Sequence, residues 1–315
     1  MILNAFDKRI VYNSNISIVN VKNLHFDLYK FLNIKRDTKS KKSTIPTLTL
    51  QGKNSIIGYK SHQLLTDKYD INISTKGDFS FVGRLAKDRV YITQKQNYMN
   101  IKANRVTDKI LHPLTNFKGL QKGRYSIKLL KNEEGVSNGE INIYGGVMRD
   151  FKTYNNIMAF INTLPSLATL NRPGFSKKGF DIKKGTIRFT LNGDILTLNS
   201  IQIEGVSSTI SGKGVINLAT KSISVEILIM TAREVGKIIG DIPIVGHILM
   251  GDNRSITLRL KITGTLDKPK VKNSAVKDTL LVPIKIIKRT ITAPEYIYKK
   301  QKEKLKRKKE ELDLF

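Results

Sequence analysis

Three stretches decide the fold: GTIRFTLNGDILTLNSIQIEG (residues 185–205), GKGVINLATKSISVEILIM (212–230) and RSITLRLKITGTLDKPKV (254–271). In the last, Ile256, Leu258, Leu260 and Ile262 alternate with Ser255, Thr257, Arg259, Lys261 and Thr263. A period of two places one set on each side of an extended chain, so these are strands with one dry face and one wet face. Ile223, Val225, Ile227 and Ile229 repeat the pattern against Ser222, Ser224 and Glu226, until Leu228 breaks it. Charged residues on the second face mean that this face meets water. What the apolar face meets, a protein core or a lipid, is the question on which function turns.

Residues 16–144 read as short strands separated by turns. Candidate strands are 16–21, 47–50, 69–73, 79–82, 90–93, 125–130 and 140–144. Lys76-Gly77-Asp78, Asn132 to Gly135 and Ser137-Asn138-Gly139 read as hairpin punctuation. Residues 35–42 form a polar loop rich in Lys, Ser and Thr. Between Val147 and Leu170 the period changes: Val147, Phe151, Tyr154, Met158, Ile161 and Leu164 recur at helical spacing, and Pro165 ends or kinks the run. Such a helix either packs its stripe on the sheet or plugs an open one. Thr231 to Asp252 starts with a capping-box pattern, Thr231 with Glu234, and is then broken by Gly240, Pro243 and Gly246 into short apolar segments. From Asp278 the pattern is a broken amphipathic helix leading into a charged tail, KKQKEKLKRKKEELDLF (299–315).

Composition narrows the function. The 315 residues contain no cysteine, which removes thiolate metal sites, thiol catalysis and disulfides. The formal charge is +29, from Lys+Arg 55 against Asp+Glu 26. Such charge raises nucleic acid as a partner. The basic residues read as spread along the solvent faces of strands, as in Lys183, Lys184 and Arg188, with no single patch carrying interleaved aromatics, and nucleic acid is not the expected partner. Attraction to anionic lipid headgroups fits the same charge. No run approaches the roughly 18 consecutive apolar residues of a membrane span, and Asp7, Lys8 and Arg9 interrupt any signal-peptide layout at the start.

Motifs for chemistry are missing as well. There is no nucleophile elbow, Walker loop or zincin helix. Gly212-Lys213-Gly214 reads as a hairpin glycine pair rather than a phosphate cradle. His25, His62, His112 and His247 are scattered, with His247 read as a packed core residue, and Asp181, Asp194 and Glu204 fall at turns and strand edges. The expectation is a protein without catalytic residues, metal or cofactor.

The order of GGVMRDFKTYNNIMAFINTLPSLATL (145–170), KKGFDIKKGTIRFTLNGDILTLNSIQIEG (177–205), GKGVINLATKSISVEI (212–227), IPIVGHILMG (242–251) and LKITGTLDKPKV (260–271) resembles the C-terminal region of the AsmA-like proteins. The YhdP branch is the nearer likeness and TamB the more distant. Residues 1–144 match only as generic strands of the same character. The resemblance implies a mainly β fold: a long curled antiparallel sheet, groove-like, with a few amphipathic helices including one at the C-terminus. It divides the chain into a strand-rich groove segment (1–145), an AsmA-like region with two helical insertions (146–275), and an amphipathic helix with a basic tail (276–315). It also implies a periplasmic protein associated with the inner membrane or the inner leaflet of the outer membrane. Compared with the family pattern, the N-terminal anchor and most of the expected length are not in this sequence, so a truncated member, a split-gene remnant or a separately encoded C-terminal piece is expected.

The implied role is to shield lipid acyl chains between two membranes, with phospholipid, a membrane surface and envelope proteins as partners. Ile187, Phe189, Leu191, Ile223, Val225, Ile227, Ile256, Leu258, Leu260 and Ile262 would line the groove, and Leu280, Leu281, Ile284, Lys285, Ile287 and Lys288 would contact a membrane. Strands about 4.8 Å apart make some fifteen of them a trough on the order of 70 Å long. Strands of six to eight residues give it walls of roughly 20 to 26 Å. Two other readings stay open. Patterning does not separate a groove from a closed sandwich core, and an envelope assembly factor that moves no lipid fits the same residues.

Overall fold

Alternating strands bury one face each, and one arrangement that does so for many of them in succession, the one this chain adopts, is a single sheet curled about its apolar side. The computed structural model of the chain describes residues 2–5, 8, 10–13, 18–27, 29–30, 47–59, 61–74, 78–163, 174–231, 248–250 and 256–273. The sheet begins with β1 (Ile2–Ala5), β2 (Ile10–Asn13), β3 (Ile18–Lys22) and β4 (His25–Asp27). The long hairpin of β5 (Leu48–Tyr59) and β6 (His62–Ile73) follows, then β7 (Phe79–Leu85), β8 (Asp88–Lys95) and β9 (Tyr98–Val106). Next come β10 (Leu120–Gln121), β11 (Arg124–Lys131), β12 (Ser137–Tyr144), β13 (Val147–Met148), β14 (Phe180–Asn192) and β15 (Ile195–Gly205). The last are β16 (Ser208–Asn217), β17 (Ile223–Thr231), β18 (Ile248–Met250), β19 (Ile256–Gly264) and β20 (Pro269–Asn273).

Eighteen of these strands form one long, curled sheet that does not close into a barrel; β10 and β13 pair with each other, and β13 extends the pairing of β14. From β5 onward each main strand pairs antiparallel with the next, a meander of hairpins. The sheet is mixed rather than wholly antiparallel, because β3 and β4 both run parallel to β5 along one edge. The sheet continues without a break across residue 145, with β12 and β14 in register from Ser137↔Leu191 to Tyr144↔Lys184.

Two helices are described. The first, α1 (Asp108–Thr115), buries Ile110 and Leu111 and contacts β6, β9 and β11. The sequence pattern reads this stretch as strand and turn; Pro113 stands inside the helix and gives up the i→i−4 hydrogen bond to Lys109, while the burial of Ile110 and Leu111 holds the helix against the sheet. The second, α2 (Lys152–Asn162), starts five residues later than the apolar stripe from Val147 predicts. Gly145 and Gly146 at φ 69° and 112°, and Asp150 at φ 63°, break the helix frame, and Val147 joins the short strand β13. Tyr154, Ile157 and Ile161 are the buried stripe, and α2 packs on β20.

Two of the expected turns are strands. Ser137-Asn138-Gly139 begins β12, and Gly212-Lys213-Gly214 lies in the middle of β16. Asn132 to Gly135 does turn: Val136 N–H donates to Asn132 Oδ1 at 2.9 Å, and Gly135 takes φ 84°. Of the segment Thr231 to Asp252, only residue 231 and residues 248–250 are described, the latter as strand β18 against β19. The loop at 35–42, the helix and tail from residue 278, and the membrane-contact residues Leu280, Leu281, Ile284, Lys285, Ile287 and Lys288 lie outside the described residues.

Candidate functional site

In an antiparallel sheet, residues directly opposite one another share a face, so the register carries one line of side chains from strand to strand. Such a line begins at Val19, which faces Leu50, and passes through Ile71 and Phe81 to Ile92. It continues through Ile101, Leu129, Gly139 and Phe189. It ends through Leu198, Gly214, Val225 and Ile262 at Val271. No polar side chain interrupts it between β3 and β20. At about 4.8 Å per strand the line is on the order of 60 Å long.

A second line runs beside it, and Tyr69, Val90, Ile127, Ile141, Ile187, Ile201, Ile227 and Leu260 are among its members. Small residues in both lines leave room for larger neighbours. Gly52 lies under the ring of Tyr69, and Gly139 lies under the ring of Phe189. The glycine pair Gly212 and Gly214 has the same use, facing Ile227 and Val225 on β17.

The lines differ in dryness along their course. Ile71 and Phe81 are buried at 0% and 1% exposure, and Val225, Ile227, Leu258, Leu260 and Ile262 are also buried. Between these stretches the sheet is half open: Leu129, Ile141, Ile187, Phe189, Leu191, Leu198 and Ile201 are only partly covered. Within this central part a gradient runs along each strand. Tyr125, Ile143, Ile182 and Ile203 at one end are buried, while Leu129, Leu191 and Leu196 toward the other are not.

The dry end is closed by packing. A chain of rings runs Phe117, Phe151, Tyr154, Phe175, Phe180, with centroids 5.0 to 5.9 Å apart. Tyr154 Oη donates to Ser176 O at 2.8 Å and accepts from Ser176 N–H at 3.2 Å, which ties α2 to the approach to β14. Burial pushes the phenols of Tyr69 and Tyr125 up to about 12, so both stay neutral. Tyr69 Oη is buried beside Ser55 Oγ, whose own proton goes to Lys53 O at 2.9 Å. At the open end the next line turns partly polar, with Gln94, Lys131 and Ser137 on the same face as Leu191, Leu196 and Ile216.

All ten residues expected to line a groove lie on strands of this sheet. Ile187, Phe189 and Leu191 are half-covered; Ile223, Val225, Ile227, Leu258, Leu260 and Ile262 are buried; Ile256 is placed by its backbone alone. Register adds residues that single-strand alternation does not single out, Leu129, Ile141, Leu198 and Ile201 among them. The outer face is polar and cross-linked: Arg188 Nε meets Glu140 Oε2 at 2.9 Å, and Thr186 and Thr190 donate to Asn142 and Asn138.

Two histidines hold α1 in place, His62 Nδ1 at 3.1 Å from Pro113 O and His112 Nε2 at 2.6 Å from Leu120 O. His247 lies outside the described residues. Among the described residues no cluster of three or more His, Asp or Glu side chains could hold a metal ion. No described helix is long and apolar enough to cross a membrane.

Residues 49–271 match a family model described as YhdP protein. The match starts well before Gly145, so it takes in the strands from β5 that the sequence alone reads as generic. Neither the curated proteins nor the solved structures contain a match to the chain.

Proposed function

Since the chain belongs to the YhdP protein family, part of the AsmA-like group, we propose that it is a non-enzymatic envelope protein that shields phospholipid acyl chains along its inner apolar lines as they pass between two membranes. The observation that carries this reading is the uninterrupted line from Val19 to Val271, half open from Leu129 to Leu198. Burial of an acyl chain is favourable by about 0.8 kcal/mol per methylene. Along its half-open part, from Leu129 to Leu198, a lane without a polar interruption lets a chain advance from strand to strand with nearly constant energy, which transport requires and tight binding does not. Lys131 and Gln94 at the open margin would face the headgroup while the acyl chain lies across Leu129 and Phe189. The proposed location is the periplasm, with the amphipathic segment Leu280, Leu281, Ile284, Lys285, Ile287 and Lys288 as a membrane contact.

A second reading, an envelope assembly factor that moves no lipid, draws on the stretches around Ile71 and Leu260, which are as dry as an ordinary core. Mass spectrometry of lipid extracted from the purified chain separates the two. Phospholipid in stoichiometric amount, lost when Leu198 is replaced by Asp, is the expected result. A lipid-free protein that still supports envelope integrity would leave the assembly role and end the transport reading.

A further inference from the structure

Basic residues that are dispersed in the sequence meet on the outer face of the first strands. Lys22 lies opposite Lys53, Lys53 opposite Lys68, Lys68 opposite Arg84, and Arg84 opposite Arg89. One register line across β3, β5, β6, β7 and β8 is therefore basic at every step, over on the order of 20 Å. The preceding or following residues Val21, Gly52, Tyr69, Gly83 and Val90 are buried on the inner face, so the cations are directed away from the apolar lines. Like charges directly opposite one another destabilise a sheet. Two carboxylates stand close by: Asp70 binds Arg84 Nη1 at 2.6 Å, and Asp67 accepts the Ala86 N–H at 2.5 Å. One ion pair does not neutralise five cations.

The line borders a concavity of about 520 Å³ whose wall holds five cations, Lys8, Lys22, Lys53, Lys68 and Arg84, against one carboxylate, Asp70, which is paired with Arg84. On the same outer face, Ile56 and Leu65 pair across β5 and β6 and are 37% and 53% exposed. Cations beside exposed aliphatic side chains match the chemistry of a bilayer surface, where phosphates lie over hydrocarbon. A nucleic acid would use the cations and leave the aliphatic pair in water.

We propose that this outer-face concavity docks the chain on an anionic bilayer, its lysines and arginines meeting lipid phosphates while Ile56 and Leu65 enter the headgroup layer. The site is on the opposite face from the apolar lines and does not depend on their carrying lipid.

The test is cosedimentation of the full chain with vesicles of phosphatidylcholine alone or mixed with phosphatidylglycerol, at physiological ionic strength. Wild type should bind the mixed vesicles. Lys53→Glu with Lys68→Glu should weaken that binding by about tenfold or more, and Leu65→Ser should weaken it to a lesser degree. Lys177→Glu with Lys178→Glu makes the same change in net charge at an exposed turn before β14 and should leave binding within about twofold. The paired Lys53 and Lys68 variant should melt no lower than wild type: positions 53 and 68 still face each other with like charge, but their contacts with Lys22 and Arg84 become attractive. Equal losses in both paired variants would show an effect of net charge alone and overturn the proposal. So would absence of vesicle binding, displacement of the chain by millimolar inorganic phosphate at constant ionic strength, or loss of duplex DNA binding with vesicle binding intact.

Discussion

The ring of Phe189 on β14 lies across the α-carbon of Gly139 on β12, in the place where any larger residue at 139 would put its Cβ. The pair sits in the half-open part of the longest apolar line, and the glycine lets an aromatic ring lie flat along the inner face. Gly139→Ala should therefore destabilise the chain by about 1–3 kcal/mol, the usual cost of overpacking a filled site. Phe189→Leu in the same chain should recover part of the loss, giving a coupling energy above about 0.5 kcal/mol in a double-mutant cycle read by urea denaturation. Additive effects would mean that the ring does not need the glycine.

That pair also shows where sequence reasoning stops. Asn138-Gly139 looks like a turn because glycine at a positive φ is the commonest reason for an Asn-Gly step. Here the reason is the ring of a residue fifty positions away, which no local pattern contains. The strands from Ile256 and Ile223 are legible because side-chain period alone assigns a face. The basic line from Lys22 to Arg89 is not legible, since its members become neighbours only through pairing. The start of α2 is misplaced for a related reason: the stripe is real, but the glycines at 145 and 146 and the left-handed Asp150 end the strand frame late.

Asp88 links three elements. The residue is 7% exposed, and its carboxylate accepts the Thr107 N–H at 2.8 Å and the Thr107 hydroxyl and meets Arg124 Nη1 at 3.1 Å. Thr107 is the N-cap residue of α1, so Asp88 on β8 fixes where that helix begins. Asp88→Asn should lower stability by about 1.5–3 kcal/mol, the range for hydrogen bonds to a charged group. Amide exchange should accelerate in α1 before it does in β14, and uniform acceleration would refute a local role.

Glu140 gives a pH dependence. Burial pushes its carboxyl up, but the Asn142 amide at 2.7 Å, the Arg188 guanidinium at 2.9 Å and nearby Lys128 outweigh that effect and hold it below the usual carboxylate range. A folded pKa below the unfolded one means that the unfolded chain binds the proton more readily. The stabilisation is therefore complete above the ordinary Glu value and is lost as pH falls through the depressed one. Glu140→Gln should remove that part of the acid slope while leaving the slope above neutrality unchanged. Thermal melts across acidic pH measure both, and an unchanged acid limb would assign the dependence to other carboxylates.

The apolar line makes opposite predictions for two of its neighbourhoods. Leu260 is 0% exposed, so an aspartate there is an unpaired buried charge, and Leu260→Asp should cost several kcal/mol and unfold the chain. Leu198 is only half-covered, and water can reach an aspartate at that position. Leu198→Asp should keep the fold, with a fall in melting temperature of no more than roughly 5 °C. It should nonetheless empty the central part of the line of lipid, because a charge facing the lane opposes the passage of methylenes. A fluorescent fatty acid bound by wild type and released from the folded Leu198→Asp variant is the expected result. Undiminished binding in that variant would place the lipid elsewhere on the molecule. Binding lost only in variants that unfold would reduce the inner face to an ordinary core.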